Sequence, residues 1–164
     1  MNKLMIIAFI AVFLAGALST SLVATINDSN ALKTFPFFGT AQDVLSPADH
    51  VKEDQIHVYQ NKVVLDVEDA SWASFTDTKS MDPLLDSDSN GIEIKPASYL
   101  DIKVGDIISY ASPYVTGLVI HRVIEIGTDN NGWYAIVKGD NNPSADPGKV
   151  RFSQVNGVLI GVIY

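Results

Sequence analysis

The sequence predicts a mainly β protein, with an antiparallel β domain behind one N-terminal transmembrane helix. Short runs of β-favouring residues recur between turn residues, which is typical of an antiparallel β domain. No amphipathic helical pattern of about 15 residues follows the N-terminal segment. That segment, residues 4–26, carries no charge and is longer than the roughly 20 residues that cross a bilayer as a helix.

The charges around segment 4–26 predict its orientation in the membrane. Lys3 precedes it and Asp28 follows it. The positive-inside rule then leaves the N-terminus in the cytoplasm and exports the remainder of a single-pass protein of the cell membrane. A cleaved signal peptide is the alternative, because residues 15–17 read Ala-Gly-Ala. We favour the anchor, since apolar residues continue past that site.

The remaining chain divides into two predicted parts. Residues 27–70 form an extra N-terminal segment, in which β-rich runs at 56–59 and 63–67 flank a turn and predict a hairpin. Residues 71–164 form the β domain. Its strands are predicted at 70–75, 91–95, 118–126 and 133–137, with a turn and strand at 104–110 and two short pieces around Asn156-Gly157.

Composition excludes several classes of function. The chain of 164 residues has no cysteine, so no cysteine nucleophile or ligand is available. A net charge of −8, scattered along the chain, argues against a nucleic-acid partner. The alternating acids of residues 86–91 suggest calcium, but the later glutamate of an EF-hand loop is missing. We therefore predict no metal and no cofactor.

Serine, histidine and aspartate appear along the chain in an order that could form an activated hydroxyl nucleophile. Ser80 follows a predicted strand and stands just before Pro83, where a hydroxyl can be presented; His121 lies inside an apolar strand. Alone, the first is typical of a solvated turn and the second of a core histidine. A later turn carries two acids, Asp140 and Asp146, either of which could orient the imidazole.

These blocks also resemble a known family. Residues 80–83, Ser-Met-Asp-Pro, resemble the S-M-x-P box of type I signal peptidases. Residues 119–124 contain the His-Arg-Val of their archaeal and endoplasmic-reticulum branch. Residues 138–142, Lys-Gly-Asp-Asn-Asn, with Asp146 beyond them, are similar to the third box of that branch. The resemblance runs from about residue 73 to residue 164 and implies a signal-peptidase-like fold.

The resemblance implies a membrane-anchored serine endopeptidase that removes signal peptides from exported precursors, cleaving after small residues. Ser80 would be the nucleophile, His121 the base and Asp146 its orienting partner, with Asp140 supporting the turn. The backbone N–H of Ser80 and the Thr78 hydroxyl would bind the oxyanion. Its partners would be precursor proteins and membrane lipid. The alternative is a non-catalytic secreted or anchored β domain that keeps the fold.

The sequence departs from this family at two places. Lys79 stands where the family commonly has glycine, and it should not be taken for the lysine base of the bacterial relatives. The long insert 27–70 separates the membrane segment from Ser80.

Next to His121, Arg122 should face the other side of its strand, where we expect a structural ion pair.

Overall fold

Eight β-strands and no α-helix are present in residues 44–164, the part of the chain that the computed structural model describes. The mainly β prediction is therefore confirmed. No helix among these residues is long and apolar enough to cross a membrane. The predicted segment 4–26 lies outside the described residues. The strands are β1 (Ile56–Val58), β2 (Val63–Leu65), β3 (Ala70–Ser74), β4 (Asn90–Ile94), β5 (Ile107–Ala111), β6 (Leu118–Asp129), β7 (Gly132–Lys138) and β8 (Val155–Ile163).

The strands form two antiparallel sheets. β1 and β2 make a two-stranded sheet, and the other six follow the order β3-β4-β8-β5-β6-β7. The predicted hairpin in segment 27–70 is confirmed, because Tyr59 N–H donates to the Lys62 carbonyl at 2.8 Å across its turn. β6 and β7 turn tightly at Gly132, whose φ of 92° favours a residue without a Cβ atom.

Alternating residues of the six-stranded sheet build two apolar cores. Side chains of a strand point to opposite faces in turn, so the neighbours Ile107 and Ile108 enter different clusters. One cluster comprises Ile102, Ile108, Tyr110, Val123, Ala135, Val137, Val150 and Val158. The second comprises Met81, Leu85, Ile107 and Leu159. The second core places Met81, the neighbour of the predicted nucleophile, against the centre of the sheet.

The C-terminal region differs from its prediction. Instead of two short pieces around Asn156-Gly157, β8 is one strand that runs through both residues. Gly157 pairs with Ser109, and a Cβ atom on Gly157 would lie 2.6 Å from Oε2 of Glu93. Asn-Gly is a common turn signal, but here the glycine lies in a strand. Its missing side chain lets the strand backbone approach a buried carboxyl closely.

Residues before the first strand bond to the six-stranded sheet region. Ala48 N–H donates to Asp106 Oδ1 at 2.8 Å, and the Arg122 guanidinium donates to the Leu45 carbonyl at 2.9 Å. The compact unit accordingly runs from Val44 to Tyr164, and begins inside the segment predicted as 27–70.

Candidate active site

Ser80 lies at the start of a turn rather than at the end of a strand. β3 ends at Ser74, and the turn that follows Ser80 is closed by a 2.9 Å hydrogen bond from Leu84 N–H to the Met81 carbonyl. Met81 is only 2% exposed and packs in the second core. Burial of the Met81 side chain fixes the backbone beside Ser80, which itself remains half-buried.

The backbone between Thr78 and Ser80 is not extended, so these two residues do not share a strand face. Lys79 has a φ of 60°, in the left-handed region. The two hydroxyls are nevertheless adjacent, with Thr78 Oγ1 3.1 Å from Ser80 Oγ. A left-handed conformation favours glycine. This local geometry gives a physical reason for glycine at the corresponding position of the family that the sequence resembles.

His121 and Asp146 are in direct contact, as predicted. His121 lies in the middle of β6, is 6% exposed, and places Nδ1 2.7 Å from Asp146 Oδ2. Asp146 is held in place by its own N–H, which donates to the Val137 carbonyl at 2.9 Å. Because a carboxylate accepts, the hydrogen belongs on Nδ1 and the lone pair on Nε2. This is the tautomer that a general base requires.

Tyr110 is a second donor to Asp146, and the sequence analysis missed it. Its hydroxyl donates to the same carboxylate oxygen, Oδ2, and its ring is buried in the first core. Burial, followed by the hydrogen bond to Asp146 and its negative charge, raises the pKa of Tyr110 far above its usual range. The phenol therefore stays protonated and remains a donor. The sequence did contain a signal for this contact: a tyrosine in a buried strand usually needs a hydrogen-bond acceptor for its hydroxyl.

Arg122 and Asp140 form the other pair. Arg122 Nε and Nη2 donate to the two carboxylate oxygens of Asp140 at 2.7 and 2.6 Å, so the expected ion pair of Arg122 is confirmed. Its Nη1 also donates to the carbonyls of Leu45 and Gly105. Asp140 was predicted to accept from N–H groups of its own turn; instead both of its oxygens bind this guanidinium, a stronger bidentate donor.

The loop that carries both aspartates also binds the Ser80 turn. Asn141 N–H donates to the Ser80 carbonyl, and Asn141 Nδ2 donates to the Lys79 carbonyl, both at 2.9 Å. A Cβ atom on Gly139 would lie 2.6 Å from the Ser80 carbonyl oxygen, so glycine allows this approach. In the sequence Asn141 is only one member of the third box. In the fold it is the residue that fixes the loop against the Ser80 turn.

The predicted residues fall into two groups in space. Thr78, Ser80 and His121 line one cleft of about 470 Å³. Arg122 lines a separate groove with residues of the segment 44–51. Among the hydrogen bonds of residues 44–164, none joins Ser80 to His121, and the Ser80 hydroxyl bonds to Thr78. Nor do any three His, Asp or Glu side chains of these residues cluster as a metal site.

Comparison with known proteins adds one partial match. No family model matches the chain, and no solved structure matches it. A protein of Methanocaldococcus jannaschii described as uncharacterized is 50% identical over 44 residues, which are 27% of this chain. The match spans about a fifth, 22%, of that protein's length. The fold and the site thus define an antiparallel β protein in which a serine and a histidine–aspartate pair meet at one cleft.

Proposed function

We propose that this chain is a membrane-anchored serine endopeptidase of the signal peptidase I type, with residues 4–26 as its anchor and the β domain outside the cytoplasm. One observation carries the proposal: the imidazole of His121, paired with Asp146 at 2.7 Å, lines the same cleft as the Ser80 hydroxyl. The order of the three sequence boxes supports it. The substrates are exported precursors, cleaved after small residues.

In the proposed mechanism His121 activates Ser80. Nε2 accepts the Ser80 proton as Oγ attacks the scissile carbonyl, while Asp146 stabilises the imidazolium through Nδ1–H. The imidazolium then gives the proton to the leaving amine, and water attacks the acyl-enzyme by the same route. The Ser80 hydroxyl must exchange its bond to Thr78 for one to His121. Catalytic hydrogen bonds are often looser before substrate binds, so this exchange belongs to formation of the Michaelis complex.

Two donors are available for the oxyanion of the tetrahedral intermediate. The Thr78 hydroxyl is free to donate elsewhere once Ser80 turns to His121. The Ser80 N–H forms no hydrogen bond with another group of residues 44–164. Fixed donors of this kind stabilise charge that develops only in the transition state. The bonds from Asn141 to Ser80 and Lys79 keep this turn in place without occupying either donor.

Cleavage of a precursor by the purified full chain in detergent tests the proposal. The wild type is expected to release the signal peptide, with the new N-terminus identified by mass spectrometry. Ser80→Ala should reduce the rate below detection while leaving the melting temperature unchanged, because a half-buried turn hydroxyl contributes little to packing. The matched control is Ser87→Ala, an exposed turn serine outside the cleft, which should cleave like the wild type.

The second candidate function is a non-catalytic β domain that retains the peptidase architecture. The bond of Ser80 Oγ to Thr78 instead of His121 favours it. It predicts that a hydroxyl-directed fluorophosphonate labels neither the wild type nor Ser80→Ala. Labelling of Ser80 in the wild type, lost in His121→Ala, supports the peptidase instead.

A further inference from the structure

Glu93 is a buried carboxyl with one unused oxygen. It lies in β4 and is 2% exposed. Its Oε2 accepts a 2.8 Å hydrogen bond from Ser109 Oγ, whereas Oε1 is buried and has no hydrogen-bond partner among residues 44–164. A buried polar atom without a partner loses its hydrogen bonds to water without replacing them, so it calls for an explanation. Neither the proposed mechanism nor the packing of the two cores uses this carboxyl.

The strands are locally irregular around this pair. The register of β4 against β8 shifts between Ile92 and Glu93, and the register of β5 against β8 shifts between Ser109 and Tyr110. Such bulges redirect side chains and are frequent beside functional sites. Between them lies Gly157, whose missing side chain leaves room for the Glu93 carboxyl. Three features of the backbone thus place one carboxyl and one hydroxyl together.

Glu93 and Ser109 line the same cleft as Ser80 and His121. The remaining lining is largely apolar, and its apolar members are Ala73, Phe75, Val115, Leu118, Val119 and Ile120. The hydroxyl residues Ser74, Thr76, Thr78 and Thr116 share this lining, but Glu93 is the only carboxyl among the residues that line the cleft. A ligand in this cleft can supply the hydrogen-bond partner that Glu93 Oε1 lacks.

We propose that Glu93 and Ser109 form a polar subsite that binds the hydroxyl of a serine or threonine side chain in the peptide substrate. The proposal rests on the proposed peptidase function. A hydroxyl suits this subsite because it donates to a carboxylate and accepts from a protonated carboxyl. Burial raises the pKa of Glu93 and so favours its protonated form, although the hydrogen bond from Ser109 opposes this shift. A lysine or arginine would have to bring its charge into an apolar cleft.

Binding of matched peptides tests the subsite without requiring turnover. Ser80→Ala serves as the background, and the probes are peptides spanning a precursor cleavage site, with Ser or Ala at one position at a time. At one position the Ser peptide is expected to bind about tenfold more tightly than its Ala partner, the order expected for the net contribution of one hydrogen bond. Adding Glu93→Met should bring the two dissociation constants together, while Glu93→Gln, which keeps an acceptor, should retain the preference.

Each outcome separates the subsite from the peptidase activity. Equal binding of Ser and Ala peptides at every position, absence of peptide binding, or a preference that survives Glu93→Met in a folded variant overturns the subsite. Turnover by the wild type without a Ser preference overturns it too, and leaves the peptidase assignment standing. A Ser preference in binding with no turnover by the wild type supports the subsite and removes the peptidase assignment. Circular dichroism melting of each variant verifies that it is folded.

Discussion

His121 and Arg122 are neighbours in β6, yet they serve two different parts of the molecule. Each pairs with an aspartate of the same loop, His121 with Asp146 and Arg122 with Asp140. His121 lines the cleft with Ser80, whereas Arg122 lines the groove formed with residues 44–51. Strand alternation thus places the His121–Asp146 pair beside the cleft and the Arg122–Asp140 pair beside the groove.

The partners of the two pairs explain the difference. Arg122 uses four hydrogen bonds to join Asp140 to the carbonyls of Leu45 and Gly105, so it connects three separate segments. His121 binds Asp146 through Nδ1, whereas its Nε2 forms no hydrogen bond within residues 44–164, and the residue lines the cleft. Loss of the first pair should therefore reduce stability, and loss of the second should reduce turnover.

Replacement of His121 has the largest expected effect. His121→Ala removes the proposed base, and turnover of a precursor should fall by about 10⁴-fold or more. Lys79→Ala should retain activity, because Lys79 is exposed and has no bond to Ser80 Oγ. Turnover and melting temperature are measured for both variants. An active His121→Ala together with an inactive Lys79→Ala would show that the base is assigned to the wrong residue.

Replacement of Arg122 should act on stability instead. Arg122→Met leaves the mostly buried Asp140 carboxylate without its cation, and loss of one partner of a buried pair costs about 3–5 kcal/mol. Denaturant unfolding measures this loss. The double variant Arg122→Met/Asp140→Leu removes both charges and should recover part of it. A single variant as stable as the wild type contradicts the structural role of this pair.

Tyr110 sharpens the comparison, because its hydroxyl bonds to Asp146 of the cleft pair and to neither member of the Arg122–Asp140 pair. Tyr110→Phe removes a donor to Asp146 and should lower turnover about tenfold, the value of roughly 1.4 kcal/mol for a bond to a charged group. Tyr114→Phe, at an exposed tyrosine, is the matched control and should have no effect on turnover. Equal turnover in the two variants would mean that Asp146 needs no second donor.

The smallest expected effect is that of Glu93 on the pH dependence of the free energy of unfolding. Burial raises its pKa above the ordinary 4.5, so the unfolded chain releases this proton at lower pH than the folded one. The contribution of Glu93 to the free energy of unfolding should therefore be full below about pH 4.5 and decline as pH rises through the folded pKa. Glu93→Gln lacks this decline. Unfolding of both proteins between pH 4 and 8 measures it, and parallel curves contradict it.

Much of the β fold was predictable because strands follow local patterns. The alternation in residues 91–95 correctly predicted β4, and the strands predicted at 118–126 and 133–137 lie within β6 and β7. The continuity of β8 was not predictable, since Asn-Gly is a turn signal unless a neighbour, here Glu93, needs the space of a missing side chain. Only the folded sheet brings these two residues together.

The site was predictable to a similar extent. Order along the chain indicated Ser80, His121 and either Asp140 or Asp146, and the family resemblance favoured Asp146. Alternation indicated that Arg122 faces elsewhere. Tyr110 contacts Asp146 and Asn141 contacts Lys79, both across long stretches of sequence. No local sequence pattern predicts contacts of this kind. The left-handed Lys79 was missed because lysine seldom adopts that conformation.

The most direct measurement compares the two aspartates. Turnover and melting temperature are determined for Asp146→Asn and Asp140→Asn, which keep the size of each side chain and remove its charge. Asp146→Asn should lower turnover by about 10⁴-fold with little change in melting temperature, as loss of the orienting carboxylate favours the wrong imidazole tautomer. Asp140→Asn should lower the melting temperature and cost less turnover, because it weakens the bidentate bond of Arg122. If Asp140→Asn is the more damaging to turnover at an unchanged melting temperature, the division of roles between the two pairs is contradicted.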